Sequence, residues 1–585
     1  MTSLWLILPV ISAIGAYYQC RFTSYIAPCV IVGLLVAFYY KKVWNAIPIV
    51  IYCVSASLLL STSMLGSHII GNDIHGEFYV VQEAIKNGWD VAINNSNNTS
   101  LVLGWFSPLL SHVIPVVWQF KLIFPLFFSL TPVFLYYGFR KLFGERRAFL
   151  SCLFVMVMPM YTLDMTSHVK GMVAETFLAA LLPLMVCDMK LKWRVIGLSI
   201  AVIGATVSHY TIGALSFIYL IGIVVVLIGL QWRSILHLKH RYIGVVLCVS
   251  AISLFSYYSL VGEGSMLSTL DRVGGNITRI IGITVKEEIG KITEEVPEIE
   301  TYDPEQKYTD EELKGLYSKR TQPVEVTGTY LDDQEQMVRT ALGIDFKEAT
   351  GKGKVFRVIQ LLTEILIGLG VVWALRNRKT IPLIYQALVI TAFISLLACL
   401  FVPYLSTVVS ATRFYQVALF FIAPAFIIGL EWVIKKRWLM SLIFVSYAVF
   451  TLGLVFEVTQ ENRVDVVNIP YSLSLSNYRM NFNGVYSEDD ITVAKWLSYN
   501  ADKEKTIMSD YNGLQLLTEY EPIGITRFTP EHSYYIFVTG WSYENGLYVY
   551  AKCPGLRMYQ NLPDLSKAKE VYRMGNAVAY EVSIG

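Results

Sequence analysis

The chain has 585 residues, 54% of them hydrophobic and 16% Asp, Glu, Lys or Arg, with a formal net charge of +2. This balance excludes a soluble globular protein and leaves no basic surplus for a nucleic-acid partner; it predicts an α-helical polytopic membrane protein in a lipid bilayer. Six of the eight cysteines (Cys29, Cys53, Cys152, Cys187, Cys248 and Cys399) lie in apolar stretches, so the sequence shows no disulfide framework and no cysteine metal cluster.

Apolar stretches at 3–18, 23–40, 44–64, 119–139, 147–163, 172–188, 195–211, 213–230, 242–261, 356–375, 381–403, 414–432 and 438–456 read as about thirteen transmembrane helices, each near the ~20 residues that cross the hydrocarbon. The first two form an N-terminal hairpin over 1–42; without a basic leader it reads as retained rather than as a signal peptide. With the N-terminus in the cytoplasm, every inner loop is basic: Lys41-Lys42, Arg140-Lys141 with Arg146-Arg147, Lys190 to Arg194, Arg233 to Arg241, Arg376 to Lys379, and Lys435-Lys436-Arg437. Lys and Arg are retained on the cytoplasmic side, so this pattern predicts the longer polar segments outside; the expected location is the plasma membrane.

The membrane core is expected over 43–262, with a first outer loop at 65–118. That loop carries Asp73-Ile74-His75-Gly76-Glu77-Phe78, two carboxylates and an imidazole in five positions. Ile74, Phe78, Val81 and Ile85 recur at helical spacing and predict an amphipathic surface helix stopped at Asn87-Gly88. Overlapping N-x-Ser/Thr triplets at 94–100 are candidate glycosylation acceptors. A second surface helix is expected before the chain turns inward, because Pro115 and Pro125 argue against one continuous helix. The next outer turn brings Lys170 to the surface and Glu175 about one helical turn below it. Another span boundary carries Ser208-His209-Tyr210.

A long acidic outer loop is expected over 263–354, either a lid or a disordered segment. C-terminal transmembrane helices follow over 355–456, with Arg413 at the outer mouth of one of them. Residues 457–585 read as a small extracytoplasmic α/β domain. It has a capped helix from Ser487, strands at Thr506–Ser509, Tyr534–Val538 and Leu547–Tyr550, and a hairpin across Met574-Gly575-Asn576.

The first-loop acidic motif, the basic turn Arg140-Lys141-Leu142-Phe143-Gly144-Glu145-Arg146-Arg147 and the span ending at Pro159 together resemble the GT-C superfamily of membrane glycosyltransferases. The layout over roughly 43–456 is similar to that of the protein O-mannosyltransferases and the lipid A aminoarabinose transferase. Asp73-Ile74-His75-Gly76-Glu77, Ser208-His209-Tyr210 and Val571-Tyr572-Arg573-Met574-Gly575-Asn576 resemble elements of a group of archaeal multipass proteins of unassigned function. The resemblance implies an inverting transfer of a sugar from a polyprenyl-phosphate (dolichol-type) donor to a protein, glycan or lipid acceptor of the cell envelope. It implies a first-loop carboxylate, Asp73 with Glu77, as general base. Adjacent Asp-Glu is the mannosyltransferase pattern, whereas Ile74-His75-Gly76 separates the two here. Gly540-Trp541-Ser542-Tyr543 lacks the acid of the oligosaccharyltransferase Trp-Trp-Asp-Tyr-Gly motif, which argues against sequon-directed oligosaccharide transfer.

Cations near the outer boundary would neutralise the departing phosphate, which makes Lys170 and Arg413 candidates, with His209 as a hydrogen-bond donor. His75, Glu175 and Tyr210 complete the candidate substrate-binding set. Each has a plainer reading: Asp73 as a helix cap, Glu77 as a solvated neighbour, Lys170 as a snorkelling chain, His209 bonded to a carbonyl, Arg413 paired with a loop acid. Asp73, His75 and Glu77 are also ligand types for a divalent metal, although no spacing rule singles them out and no cofactor is predicted. The rival classes are a lipid-linked glycan flippase or transporter, which would bury its ionisable groups near the midplane, and a noncatalytic envelope scaffold.

Overall fold

The computed structural model describes residues 2–40, 46–71, 73–90, 97–230, 241–261, 324–328, 346–347, 349, 351–377, 380–401, 411–459, 470, 472–475, 485–520, 524–526, 530, 532–553, 556–566 and 568–584. The chain is an α-helical polytopic membrane protein with a small C-terminal sheet domain. Among the described residues eight helices are long and apolar enough to cross a membrane: Val116–Phe143, Val169–Val186, Leu191–Ser208, Tyr210–Gly229, Tyr242–Val261, Gly351–Arg376, Leu383–Phe401 and Arg413–Val433. A further helix pair, Glu145–Met156 and Met160–Ser167, is bent by 62°. Shorter apolar helices at Trp5–Tyr17, Phe22–Val36, Ile47–Ser63 and Arg437–Thr451 fall on the remaining expected spans. Apolar runs of this kind fold as helices because hydrocarbon offers the backbone no other hydrogen-bond partner.

Small residues let the long helices approach closely. A Cβ at Gly370 would lie 1.8 Å from the carbonyl oxygen of Ala425, and one at Gly429 would lie 1.9 Å from that of Leu366. These two glycines therefore press the helices carrying them backbone to backbone, the usual membrane solution where apolar burial drives little. On an adjoining face of Arg413–Val433, Phe154 stacks on Phe426 with centroids 4.4 Å apart and on Tyr447 at 5.1 Å. The helix that carries Arg413 is thus held on two faces.

The expected surface helix is present at Asp73–Asn87 and is closed by Gly88 at φ +80°. A short apolar helix spans Val102–Ser111, upstream of the stretch through Pro115 to Pro125 in which the second surface helix is expected. Pro115 ends the turn after it, but Pro125 does not break the next helix, which runs through from Val116 to Phe143. A wider π-helical turn at Gln119–Ile123 precedes that proline and absorbs its ring. Pro159 marks the 62° bend, after which the chain lies across the helix ends through Asp164 to His168.

In the C-terminal domain Ser487 and Asp490 form a capping box, with Asp in place of the preferred Glu. Strands β2 (Thr506–Ser509), β3 (Ile525–Thr526), β4 (Tyr534–Val538), β7 (Ala568–Met574) and β8 (Ala577–Val582) form one sheet in the order β3-β2-β4-β8-β7. The first three are parallel; β8 and β7 are the expected hairpin, turning at Gly575 with φ +53°. A second sheet pairs β5 (Leu547–Cys553) and β6 (Leu556–Asn561) with β1 (Val324–Gly328). The second half of the long outer loop therefore adds a strand to this domain, while the acidic stretch of that loop lies outside the described residues, as do Lys41-Lys42 and 403–407.

Candidate functional site

Gly71 at φ +133° lets the chain enter the surface helix over the turn at Met165–Ser167; a Cβ there would lie 2.4 Å from Ser167 Oγ. That close passage sets Asp73 beside His168, with Oδ2 and Nε2 2.7 Å apart. His168 Nδ1 lies 2.9 Å from the carbonyl oxygen of Asp164. A carboxylate and a carbonyl both accept, so the ring donates from both nitrogens and is an imidazolium paired with an ionised Asp73. The electrostatics agree: the hydrogen bond from His168 leads the causes that hold the Asp73 carboxyl down at about 2, and the charges of His168, Arg413 and Lys170 add to it against partial burial. Burial works against charge on His168, but Asp73 and Asp164 outweigh it and raise that imidazole above its ordinary value. Among the described residues Asp73 makes no bond to its own helix. Its side chain is 63% exposed.

Glu77, one turn further on, is fully buried. Its Oε2 accepts from the backbone N–H of Val169 at 2.7 Å and more weakly from that of Lys170 at 3.4 Å, so it caps the first turn of the helix Val169–Val186 from across the site. Burial raises its pKa, while Lys170 and the two N–H groups oppose the rise. Lys170 Nζ lies 3.9 Å from Glu77 Oε1 and donates to Asn97 Oδ1. Asn97 in turn sits against Gly76, where a Cβ would come within 2.9 Å of its amide nitrogen. Asn98 is buried and donates to the carbonyl of Asp90, so the triplets beginning at Asn97 and Asn98 are committed to packing. The triplet beginning at Asn94 lies outside the described residues.

His209 stands between two membrane helices, buried, with its Nδ1 accepting from the N–H of Thr211 at 3.1 Å. Burial, then the charges of Lys170 and Arg413, depress it well below an ordinary imidazole. A neutral ring that accepts at Nδ1 carries its proton at Nε2. Arg413 Nη1 lies 3.4 Å from that same Nε2. Two donors thus lie side by side, close enough for one anionic oxygen to accept from both. Among the described residues Arg413 makes no ion pair. Tyr210 stacks obliquely beside His209, with centroids 5.1 Å apart. Glu175 is fully buried and accepts from Gln416 Nε2 at 2.7 Å, one turn along the helix from Arg413.

Asp73, Lys170, His209, Arg413 and Glu175 therefore converge, coupled through His168. His75 does not join them: it points the other way, is fully buried, and bonds through Nδ1 to Glu519 of the C-terminal domain. His68 Nε2 holds the other oxygen of Glu519 at 2.6 Å. Four participants went unrecognised in the sequence, namely His168, Asn97, Gln416 and Glu519. Only His168, beside Lys170 at the same boundary, carried a local signal. As for a metal, no group of three His, Cys, Asp or Glu side chains among the described residues is arranged to hold one.

Fold and site together define a polytopic membrane protein that gathers ionisable groups at one end of its helical bundle. A family model described as "Predicted membrane protein (DUF2206)" matches residues 334–580, a stretch that includes Arg413 but not Asp73. No curated protein matches the sequence. Among solved structures, the chain is similar to ArnT from Cupriavidus metallidurans bound to undecaprenyl phosphate, at 12% identity and a TM-score of 0.34, over 91% of this chain and 99% of that one. It is also similar to the archaeal oligosaccharyltransferase AglB from Archaeoglobus fulgidus in complex with an inhibitory peptide and a dolichol-phosphate. There the identity is 10% and the TM-score 0.41, over 82% of this chain and 64% of that one. The chain thus spans less than two thirds of the length of that oligosaccharyltransferase.

Proposed function

We propose that the protein is a GT-C-type glycosyltransferase that moves a sugar from a polyprenyl-phosphate donor to an acceptor on the outer face of the plasma membrane, with inversion. One observation carries this reading. Among the carboxylates of the cluster, Asp73 is held in its charged form by His168, its side chain is 63% exposed, and it lies in the field of Lys170 and Arg413 at one end of the helical bundle. The basic turns at the other end of the bundle support an orientation with the Asp73 end outside.

Asp73 accepts the proton of the acceptor hydroxyl as that oxygen bonds to the anomeric carbon. The bond from that carbon to the phosphate oxygen breaks, and its electron pair stays on the lipid phosphate. Arg413 and the Nε2–H of His209 receive the resulting charge, with Lys170 behind them. His168 positions Asp73 and lowers its basicity. Release of that pairing when substrate enters restores the carboxylate as a base. Glu77 holds the helix that carries Lys170. A donor bound at this depth keeps its chain in the bilayer, which is why the cations sit at span ends rather than at the midplane, where a transporter would place them.

The test is to incubate the purified protein with a panel of polyprenyl-phosphate sugars and candidate acceptors and to follow release of free polyprenyl phosphate. Release with one sugar, and a product of inverted anomeric configuration, is the expected outcome. No release with any donor, together with movement of lipid-linked glycan across vesicles, would assign the protein to transport.

A further inference from the structure

At the opposite membrane face lies a cavity of about 430 Å³ that the proposed chemistry does not use. Arg413 and Glu431 sit on one helix, eighteen residues or about 27 Å apart. The cavity therefore belongs to the leaflet away from Asp73. Its lining includes Arg146, Arg147, Lys435 and Arg437, against only Glu145 and Glu431.

The two acids are already engaged. Arg147 Nε donates to Glu431 Oε2 at 2.8 Å, and Glu145 pairs with Arg140 at 2.7 Å. Lys435 and Arg437 make no ion pair among the described residues, so the cavity keeps a net positive charge. Two helices begin at its rim, Glu145–Met156 and Arg437–Thr451, and neither has a side-chain cap on its first N–H groups. Both partial positive charges add to the side-chain field. Phe143 and Met440 add apolar surface to the lining. Beside it Trp438 and Leu442 are exposed, 54% and 52%, on a helix whose other face packs in the bundle. An indole at this depth is an interfacial anchor.

We infer that this cavity is a binding site for the headgroup of an acidic phospholipid of the inner leaflet, whose acyl chains run along Trp438 and Leu442. Charge complementarity selects the phosphodiester, and the exposed apolar strip selects a lipid over a soluble anion. The site is independent of the proposed transfer reaction.

Native mass spectrometry of the full chain in detergent, titrated with phosphatidylglycerol, phosphatidylcholine or inorganic phosphate, tests it. Wild type should retain phosphatidylglycerol above phosphatidylcholine. Each cation near an anionic headgroup contributes about fivefold in affinity, so K435Q/R437Q should bind phosphatidylglycerol about thirtyfold more weakly. The charge-keeping K435R/R437K should bind like wild type, which separates loss of charge from loss of fold. K190Q/K192Q, at exposed positions where the helix Leu191–Ser208 begins, should leave retention unchanged. Equal retention by wild type and K435Q/R437Q, or equal loss from the Lys190/Lys192 variant, overturns the site. Displacement of the lipid by millimolar phosphate overturns its assignment to a lipid.

Discussion

Glu77 Oε2 accepts the backbone N–H of Val169 at 2.7 Å, joining the surface helix to the first turn of a membrane helix ninety-two residues later. A buried carboxylate in that position fixes where Asp73 and Lys170 stand relative to one another. Glu77→Ala would leave the N–H of Val169 buried without a partner, at a cost of about 1–3 kcal/mol. The apparent unfolding temperature of the purified protein should fall, and Glu77→Gln should recover part of the loss, because an amide oxygen still accepts. Equal melting of Glu77→Ala and wild type would show that the cap is dispensable.

The Asp73–His168 pair predicts a pH dependence. His168 is raised in the folded state, so its contribution is complete below the ordinary imidazole value of ~6.5 and is lost as pH climbs through the raised one. Asp73 is depressed to about 2, so its contribution is complete above ~4 and is lost as pH falls towards that value. Unfolding temperatures across pH 4–9 should therefore show a decline on the alkaline side in wild type that His168→Asn lacks. Superimposable profiles would mean that the imidazolium pairing adds nothing to stability.

Glu519 is bonded by His68 and His75 at once, with both oxygens buried. Among the described residues it links the C-terminal domain to the first outer loop through two buried polar contacts. Glu519→Ala strands two buried imidazole nitrogens and should cost about 2–4 kcal/mol. Hydrogen exchange should rise both in Asp73–Asn87 and in the turn Thr518–Tyr520. A rise confined to the C-terminal domain would contradict the docking role.

The parts of this architecture written in local pattern were legible. Hydropathy marked the spans, the basic turns marked one face, and the Ser487 capping box and the Met574-Gly575-Asn576 turn marked elements that are present. Asp73 and Arg413 stood out because each breaks an apolar context at a span boundary. The partners were not legible, because contact order hides them. His168 meets Asp73 across ninety-five residues, and Glu519 meets His75 across four hundred and forty-four. His75 misled for the same reason: two residues from Asp73 on a helix means opposite faces, and only the docked domain shows what its face meets. Pro125 misled because a π-helical turn has no simple sequence signal.

Arg413 Nη1 and His209 Nε2 form the proposed phosphate-binding pair. Once a transfer assay exists, Arg413→Gln should raise the donor KM tenfold or more, since a charge-assisted hydrogen bond is worth about 1.5–3 kcal/mol. His209→Gln should act in the same direction, and the double variant should lose less than the sum of the two, because both reach one phosphate. Strict additivity would place them on different ligands.

The account stands or falls on Asp73. Under single-turnover conditions with a productive polyprenyl-phosphate sugar, Asp73→Asn keeps the size and most of the hydrogen bonding of the side chain but cannot accept a proton. Loss of a positioned general base costs about 10²–10⁴-fold, so the variant should bind donor like wild type and transfer sugar at least a hundredfold more slowly. Transfer at the wild-type rate would remove Asp73 as the base and leave its pairing with His168 as structure alone.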